Sequence, residues 1–272
     1  MDRRPVAAIL GVTADIGKAL ANRLMNDGWM VVGFGRSAER IDGLLSNDQF
    51  RFVVCDISDP TSIAAAVGQF KGHNRKWSLF ASSIGTMKPI GRFFELDFDQ
   101  WEASFDVNST AQLRLLHGLW PSRLQDATVN IMFLAGGGTN NALTNYSAYC
   151  LSKIALIKMC ELIDDEEPLA NAFIIGPGFV HTRIHQETLH AGKNAGAGYE
   201  KTLAFLKTEG TSFDDIYSNM RWCMSVGRSI AGGRNFSTVH DPWRNGGREF
   251  IRQIEGDPNA LRLRRQGVSS RT

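Results

Sequence analysis

The residues Val6-Ala7-Ala8-Ile9-Leu10-Gly11-Val12-Thr13-Ala14-Asp15-Ile16-Gly17 open the chain's organised part. Five apolar residues read as a short buried strand, a glycine ends it, and residues 16–27 continue with helical periodicity. A glycine at such a junction lets the backbone turn sharply and approach a pyrophosphate resting on the N–H groups that begin the helix. Asp15 stands where the usual pattern has its middle glycine. A carboxylate facing a pyrophosphate would repel it, so Asp15 is expected to turn away and cap the helix.

Working outward, further short apolar runs at 29–34, 51–54, 77–81, 128–134 and 172–175 read as buried strands. Helical patterns at 60–70, 98–119 and 147–163 separate them, the first begun by Asp59-Pro60. Strands joined through helices need crossover connections. The expectation is therefore an α/β fold: a Rossmann-type, doubly wound parallel sheet of about seven strands with helices on both faces. No repeat or linker divides the chain, so residues 1–272 are expected to form a single domain. The alternation lapses after Pro177-Gly178, and the glycine-rich residues 185–212 read as a long loop serving as a substrate lid. A helix resumes near Phe213 with Ser212 as its cap, and 235–239 reads as a last strand. Residues 243–272 carry seven Arg against Glu249, Glu255 and Asp257, a local balance of +4. That basic tail reads as a solvated segment, or else as a subunit or anion contact.

The composition excludes several classes. Hydrophobic residues make up 43% and charged residues 21% of 272, which is ordinary globular usage. The net charge of +2 gives no reason to expect nucleic acid as a partner. No run approaches the roughly 20 apolar residues of a membrane span, and the start is too short for a signal sequence. Cys55, Cys150, Cys160 and Cys223 lack the C-x-x-C spacing. Free thiols, and hence a cytoplasmic protein, are expected. His181 and His185 lie four apart without a third ligand nearby, so no metal is expected.

The second strand runs into Gly33-Phe34-Gly35-Arg36-Ser37. An acidic residue here would suit the ribose 2′-hydroxyl of NAD(H), whereas a small residue beside a guanidinium suits a 2′-phosphate, which points to NADP(H). Asp56, past the third strand, is placed to meet the adenine edge. Tyr149 and Lys153 are four apart, on one face of a helix. A free phenol titrates near 10, too high for an efficient proton carrier, and a neighbouring ammonium is expected to lower it.

The glycine turn at 11–17, Asp56, Asn108, Tyr149 with Lys153, and Gly176-Pro177-Gly178 with Thr182 fall in one order. In that combination the chain resembles the short-chain dehydrogenase/reductase superfamily, in its one-domain form, over roughly residues 5–185. The resemblance implies that Gly11, Thr13, Asp15, Ile16 and Gly17 line the pyrophosphate turn, and that Arg36, Ser37, Asp56 and Ile57 meet the adenosine half. It counts Ser83, Gly85 and Val180 among the cofactor-binding residues and places Pro177, Gly178 and Thr182 at the nicotinamide. It makes Tyr149 the general acid or base, Lys153 its tuner and cofactor anchor, and Asn108 the support of a proton-relay water. Ser82-Ser83-Ile84-Gly85 stands where the family usually has Asn-Asn-Ala-Gly, so the support of that strand end must differ.

The family's hydroxyl donor, about thirteen residues before the Tyr, falls here on Gly136. Losing such a donor costs on the order of 100- to 1000-fold in rate. Three readings stay open: Thr139, Asn140 or Ser147 substitutes; the substrate supplies its own hydroxyl to the space at Gly136 and Gly137; or the protein binds a nucleotide without catalysis. If a donor is lacking, restoring Ser at 136 should raise activity; lowered turnover would mean instead that the glycines serve the substrate. A cofactor-retaining isomerase or epimerase would use the same residues. Lys193, Lys201, Tyr199 and His185 give the lid a polar character, which suits a polar small-molecule substrate such as a sugar or nucleotide-sugar. This stretch is also similar to reductases of bacterial surface-polysaccharide pathways. The family further implies a homodimer or homotetramer built through 98–119 and 147–163.

Overall fold

A computed structural model describes residues 4–265. Among them seven strands form one parallel sheet in the order β3-β2-β1-β4-β5-β6-β7. The strands are β1 (Val6–Leu10), β2 (Met30–Gly35), β3 (Phe50–Val54), β4 (Leu79–Ser82), β5 (Val129–Leu134), β6 (Ala170–Gly176) and β7 (Asn235–Ser237). Between them run α1 (Asp15–Asn26), the short α2 (Asp42–Leu45), α3 (Pro60–Gly72), α4 (Phe98–Phe105), α5 (Ala111–Leu119) and α6 (Ser147–Glu166). After β6 come α7 (Ile184–Ala191), α8 (Ala197–Phe205), α9 (Phe213–Val226) and α10 (Arg228–Ala231), and after β7 comes α11 (Arg248–Gly256). The expected Rossmann-type, doubly wound sheet is present.

Alternate residues of each strand face opposite sides, so the two faces bury separate clusters. Ala8, Leu10, Val32 and Phe34 pack with Leu115, Leu119 and Leu156 of α5 and α6. Ala7, Ile9 and Val31 pack with Leu20, Leu24, Trp222 and Phe250 of α1, α9 and α11. Trp77 is completely buried, and its indole N–H donates to the Leu119 carbonyl at 2.8 Å. Strand order reverses direction between β1 and β4, which opens a crevice at the carboxyl ends of the strands.

Three expectations from sequence change. The helix expected over 98–119 is interrupted by a π-helical turn, Asp106–Thr110. Carbonyls freed by that wider turn accept from Gln112, whose Nε2 donates to Val107 O at 3.2 Å and Asn108 O at 2.8 Å. The stretch 185–212 holds two helices joined by a 3-10 turn rather than a long loop. Its glycines mark ends: Gly192 closes α7 and Gly196 precedes α8, both at φ +53, while Thr188, Ala195 and Thr202 supply a buried side. The last strand also stops early, at Ser237, where the Ser237 N–H turns to the Asp241 carboxylate at 2.7 Å.

The basic tail is docked as far as it is described. Phe250 and Ile254 are buried, with Phe250 stacked on Trp222 at 5.7 Å. Arg262 pairs with Asp164 at 3.4 Å, and Arg264 pairs with Glu161, both acids lying on α6. Arg244 pairs with Asp215 at 2.8 Å. Three of the tail's arginines, Arg244, Arg262 and Arg264, thus meet acidic partners elsewhere in the fold, and its residues 266–272 lie outside the described residues. No described helix is long and apolar enough to cross a membrane.

Candidate active site

The glycine turn is built by close approach. Gly11 has φ +81, and its N–H donates to the Phe34 carbonyl at 2.9 Å. A Cβ on Gly17 would lie 2.2 Å from the Gly11 carbonyl oxygen, so only glycine lets α1 begin this close to β1. The altered β4 end explains itself here: Ser83 Oγ donates to the Leu10 and Gly11 carbonyls at 3.2 and 3.0 Å, while Ser82 Oγ donates to Gln112 at 2.6 Å.

Asp15 departs from expectation. The cap position is Ala14, which provides no side-chain bond. Asp15 is the first helical residue, and its carboxylate reaches across the cleft to accept the Arg183 N–H at 3.1 Å, with Arg183 Nε at 3.5 Å. The leading N–H groups of α1 therefore have no capping side chain and open on the cleft, the arrangement a phosphate needs. A dinucleotide pyrophosphate fits this observation.

The cleft encloses about 1750 Å³. A single small-molecule site usually needs ~300–1000 Å³, so a dinucleotide and a second molecule have room together. Of the residues assigned to the cofactor, all but Gly17 and Asn108 line it. At one end Arg36 and Ser37 are exposed beyond β2. A Cβ on Gly35 would already meet Thr13 Cγ2 at 3.1 Å, leaving little room for an acidic side chain there. Asp56 accepts from Ser58 Oγ at 2.7 Å and Ser58 N at 3.0 Å. These bonds, ahead of a smaller contribution from the Arg36 charge, hold its carboxyl below the ordinary range.

Tyr149 and Lys153 lie at the other end, 6% and 2% exposed. Lys153 Nζ donates to the Ile84 carbonyl at 3.3 Å and lies 5.7 Å from the centre of the Tyr149 ring. Burial pushes the ammonium down to about 8. The expected lowering of the Tyr149 pKa by Lys153 gives way to the opposite direction. Burial raises the phenol well above its ordinary value, and the neighbouring Cys150 and Glu187 add to the rise.

Asn108 is completely buried behind the cleft wall. Its amide clamps Thr86, accepting the Thr86 N–H and donating to the Thr86 carbonyl, each at 2.8 Å. Its backbone carbonyl accepts from Gln112 Nε2 at 2.8 Å.

Gly136 is more than a missing hydroxyl. A Cβ there would lie 2.1 Å from Tyr149 Oη, so the phenol fills the space a serine would need. Of the substitutes considered, Thr139 and Asn140 line the cleft together with Gly136 and Gly137. Ser147 is not among the lining residues, and its hydroxyl accepts from Trp101 Nε1 at 2.9 Å.

The lid residues divide. His185 lines the cleft but is buried; its Nε2–H donates to the Val180 carbonyl at 2.9 Å and its ring stacks on Phe179. Lys193 and Tyr199, both expected near substrate, do not line the cleft. Lys193 is exposed in the 3-10 turn, whereas Tyr199 on α8 packs against the buried cluster of Tyr146, Tyr149 and Ala195. Lys201 does line it. The site also contains residues that sequence reading missed: Arg183, Gln112, Thr86 and Glu187. Glu187 accepts from Met87 N and Thr86 Oγ1, partners about a hundred residues away, and no local motif signals it.

Residues 5–193 match the family model described as short chain dehydrogenase. A benzil reductase ((S)-benzoin forming) of Saccharomyces cerevisiae is 28% identical over 194 residues, covering 67% of this chain and 74% of that protein. A serine 3-dehydrogenase of Agrobacterium fabrum is 26% identical over 153 residues, covering 51% and 61%. A short chain dehydrogenase/reductase structure from Saccharomyces cerevisiae superimposes with a TM-score of 0.76 at 22% identity, covering 88% of this chain and 97% of that one. A short chain dehydrogenase structure from Shigella flexneri complexed with NADP gives 0.73 at 18%, covering 88% and 98%.

Two outcomes follow from the burial of this pair. Lys153 titrates at 10.5 when unfolded and about 8 when folded, so the unfolded chain binds more protons between those values and stability rises with pH there. Lys153→Met should therefore raise cofactor-free stability at pH 7 by up to about 3 kcal/mol, a gap that closes between pH 8 and 10.5 in denaturant titrations. Gly136→Ser should displace Tyr149 and cost about 1–3 kcal/mol by overpacking, lowering turnover as well; a raised turnover would show that the phenol yields easily.

Proposed function

The chain belongs to the short-chain dehydrogenase family, and from that premise we propose an NADP(H)-dependent oxidoreductase acting on a carbonyl or alcohol of a polar substrate. The observation that carries this reading is one continuous cleft with the uncapped start of α1 and Arg36 at one end and buried Tyr149 with Lys153 at the other. NADP(H), when bound, supplies or accepts the hydride. The pyrophosphate would rest on the turn at 11–16, and the Arg36 guanidinium would take the 2′-phosphate in a forked contact. Tyr149 would pass the proton to or from the substrate oxygen. With its pKa raised, Tyr149 carries its proton at pH 7, so in the reductive direction it would start in the donor form. Lys153, anchored on Ile84, would hold the cofactor ribose, and Asn108 is a positioning residue for the loop after β4.

A polar substrate is supported by Thr139, Asn140, Asn141, Thr188 and Lys201 at the Tyr149 end. Glu187 and Lys201, opposite in charge, also line the cleft, which suits a neutral, sugar-like carbonyl compound. Benzil, serine and a panel of aldoses are suitable first probes, because the relatives named above act on the first two. Self-association is supported by the aromatic face of α4, where Trp101 stacks on Phe98 and Phe105 at 5.5 and 5.7 Å. Beside it Phe94 is 97% exposed and, with the exposed Phe93 and Phe98, forms an apolar cluster of the kind that marks an interaction surface.

Calorimetric titration should give micromolar NADPH binding and much weaker NADH binding. Arg36→Ala should cost NADPH about tenfold or more while leaving NADH unchanged, as loss of a charge-assisted contact would. No binding of either nucleotide would overturn the oxidoreductase reading. In sedimentation velocity the protein should run as a dimer or tetramer, and Phe94→Ser with Phe98→Ser should shift it toward monomer; a monomeric wild type would sink the proposed interface.

A further inference from the structure

Glu187 lies on α7, the first helix of the lid, and no Lys or Arg among the described residues forms an ion pair with it. Its carboxylate bonds instead to the loop after β4: Met87 N–H donates to Oε2 at 2.6 Å, and Thr86 Oγ1 lies 3.0 and 3.2 Å from the two oxygens. That loop is itself fixed, because Asn108 holds both the N–H and the carbonyl of Thr86. The next lid residue, Thr188, accepts the Tyr146 hydroxyl at 3.1 Å and lies 3.3 Å from Met87 Sδ. Tyr146 is the residue before α6, the helix that carries Tyr149 and Lys153.

We propose that Glu187 is the latch of the substrate lid: a positioning carboxylate that holds α7 on Thr86-Met87 and so ties lid closure to the loop that Asn108 aligns. Three features argue for a latch rather than a surface acid. Its partners lie about a hundred residues away, on a different element. It takes a main-chain N–H and a hydroxyl that point into the cleft region, and it lines the cleft itself. It also stands close enough to Tyr149 for its charge to oppose phenolate formation. The other groups facing that phenol are Lys153 and Cys150 from α6 and Gly136 from the end of β5. Opening α7 would therefore uncover the phenol and remove a negative charge from it in one movement.

Hydrogen–deuterium exchange on the full chain tests the latch without cofactor or substrate, so failure of the oxidoreductase reading would leave this result standing. Glu187→Ala should speed exchange at Met87 and across 184–191 by about tenfold or more, the loss of at least one charge-assisted hydrogen bond. Protection of β1, β4 and β5 should not change. Thr86→Val removes the hydroxyl partner from the opposite side and should speed exchange of the same segment. Glu187→Gln keeps an acceptor oxygen, and its acceleration should stay near threefold. Unchanged exchange of α7 in both Glu187→Ala and Thr86→Val would overturn the proposal. So would an acceleration spread evenly over the whole sheet, which would make Glu187 a general stabiliser.

Discussion

The start of α1 sits against the end of β1 with no space for a side chain between them. A Cβ on Gly17 would lie 2.2 Å from the Gly11 carbonyl, and the functional cleft depends on that contact. It brings the helix's unpaired N–H groups to the carboxyl edge of the sheet, where positive partial charge can meet an anion. Ser83 secures the turn from β4 by bonding two consecutive carbonyls. Asp15 then ties the turn to Arg183, just before α7, so the first crossover and the lid are fixed to each other across the crevice. One absent methyl group thus governs where a phosphate could rest and where the lid begins.

At the other end of the cleft, desolvation dominates. Tyr149 and Lys153 are buried together, and each is driven toward its neutral form: the phenol up, the ammonium down to about 8. A Tyr and a Lys four apart suggest a cation lowering a phenol, and in water that argument would hold. Here the ammonium faces the Ile84 carbonyl, and the cost of burying charge exceeds what it can return to Tyr149.

What could be read in the sequence was local. The strands after the first show as apolar runs because parallel strands are buried on both faces. Tyr149 and Lys153 show because helix geometry puts positions four apart on one face. The π turn at 106–110 does not show, because the Gln112 bonds that sustain it require Ser82 and Ile84 from β4 and its loop. The lid reads as loop because glycine is counted against helix, whereas Gly192 and Gly196 only punctuate two helices whose buried sides meet distant partners. The tail reads as solvated because Glu161 and Asp164, its counter-charges, lie about a hundred residues earlier. Glu187 is invisible for the same reason.

Gly136, Gly137 and Gly138 bring these threads together. Read as a motif, the run is a deletion, the loss of a hydroxyl. Packed in the fold, it is a surface against which α6 rests. Tyr149 Oη occupies the place of a side chain at 136, and Cys150 Sγ would lie 2.4 Å from a Cβ on Gly138, whose φ of +87 already favours glycine. The Cys150 thiol also points to the Gly137 carbonyl at 3.6 Å. Two consecutive residues of α6 therefore lean into a backbone stripped of side chains. This close approach deepens the burial of Tyr149, and burial is the largest cause of its raised pKa. The absent serine and the unusually protected phenol are one structural fact, because the space left by the first is filled by the second.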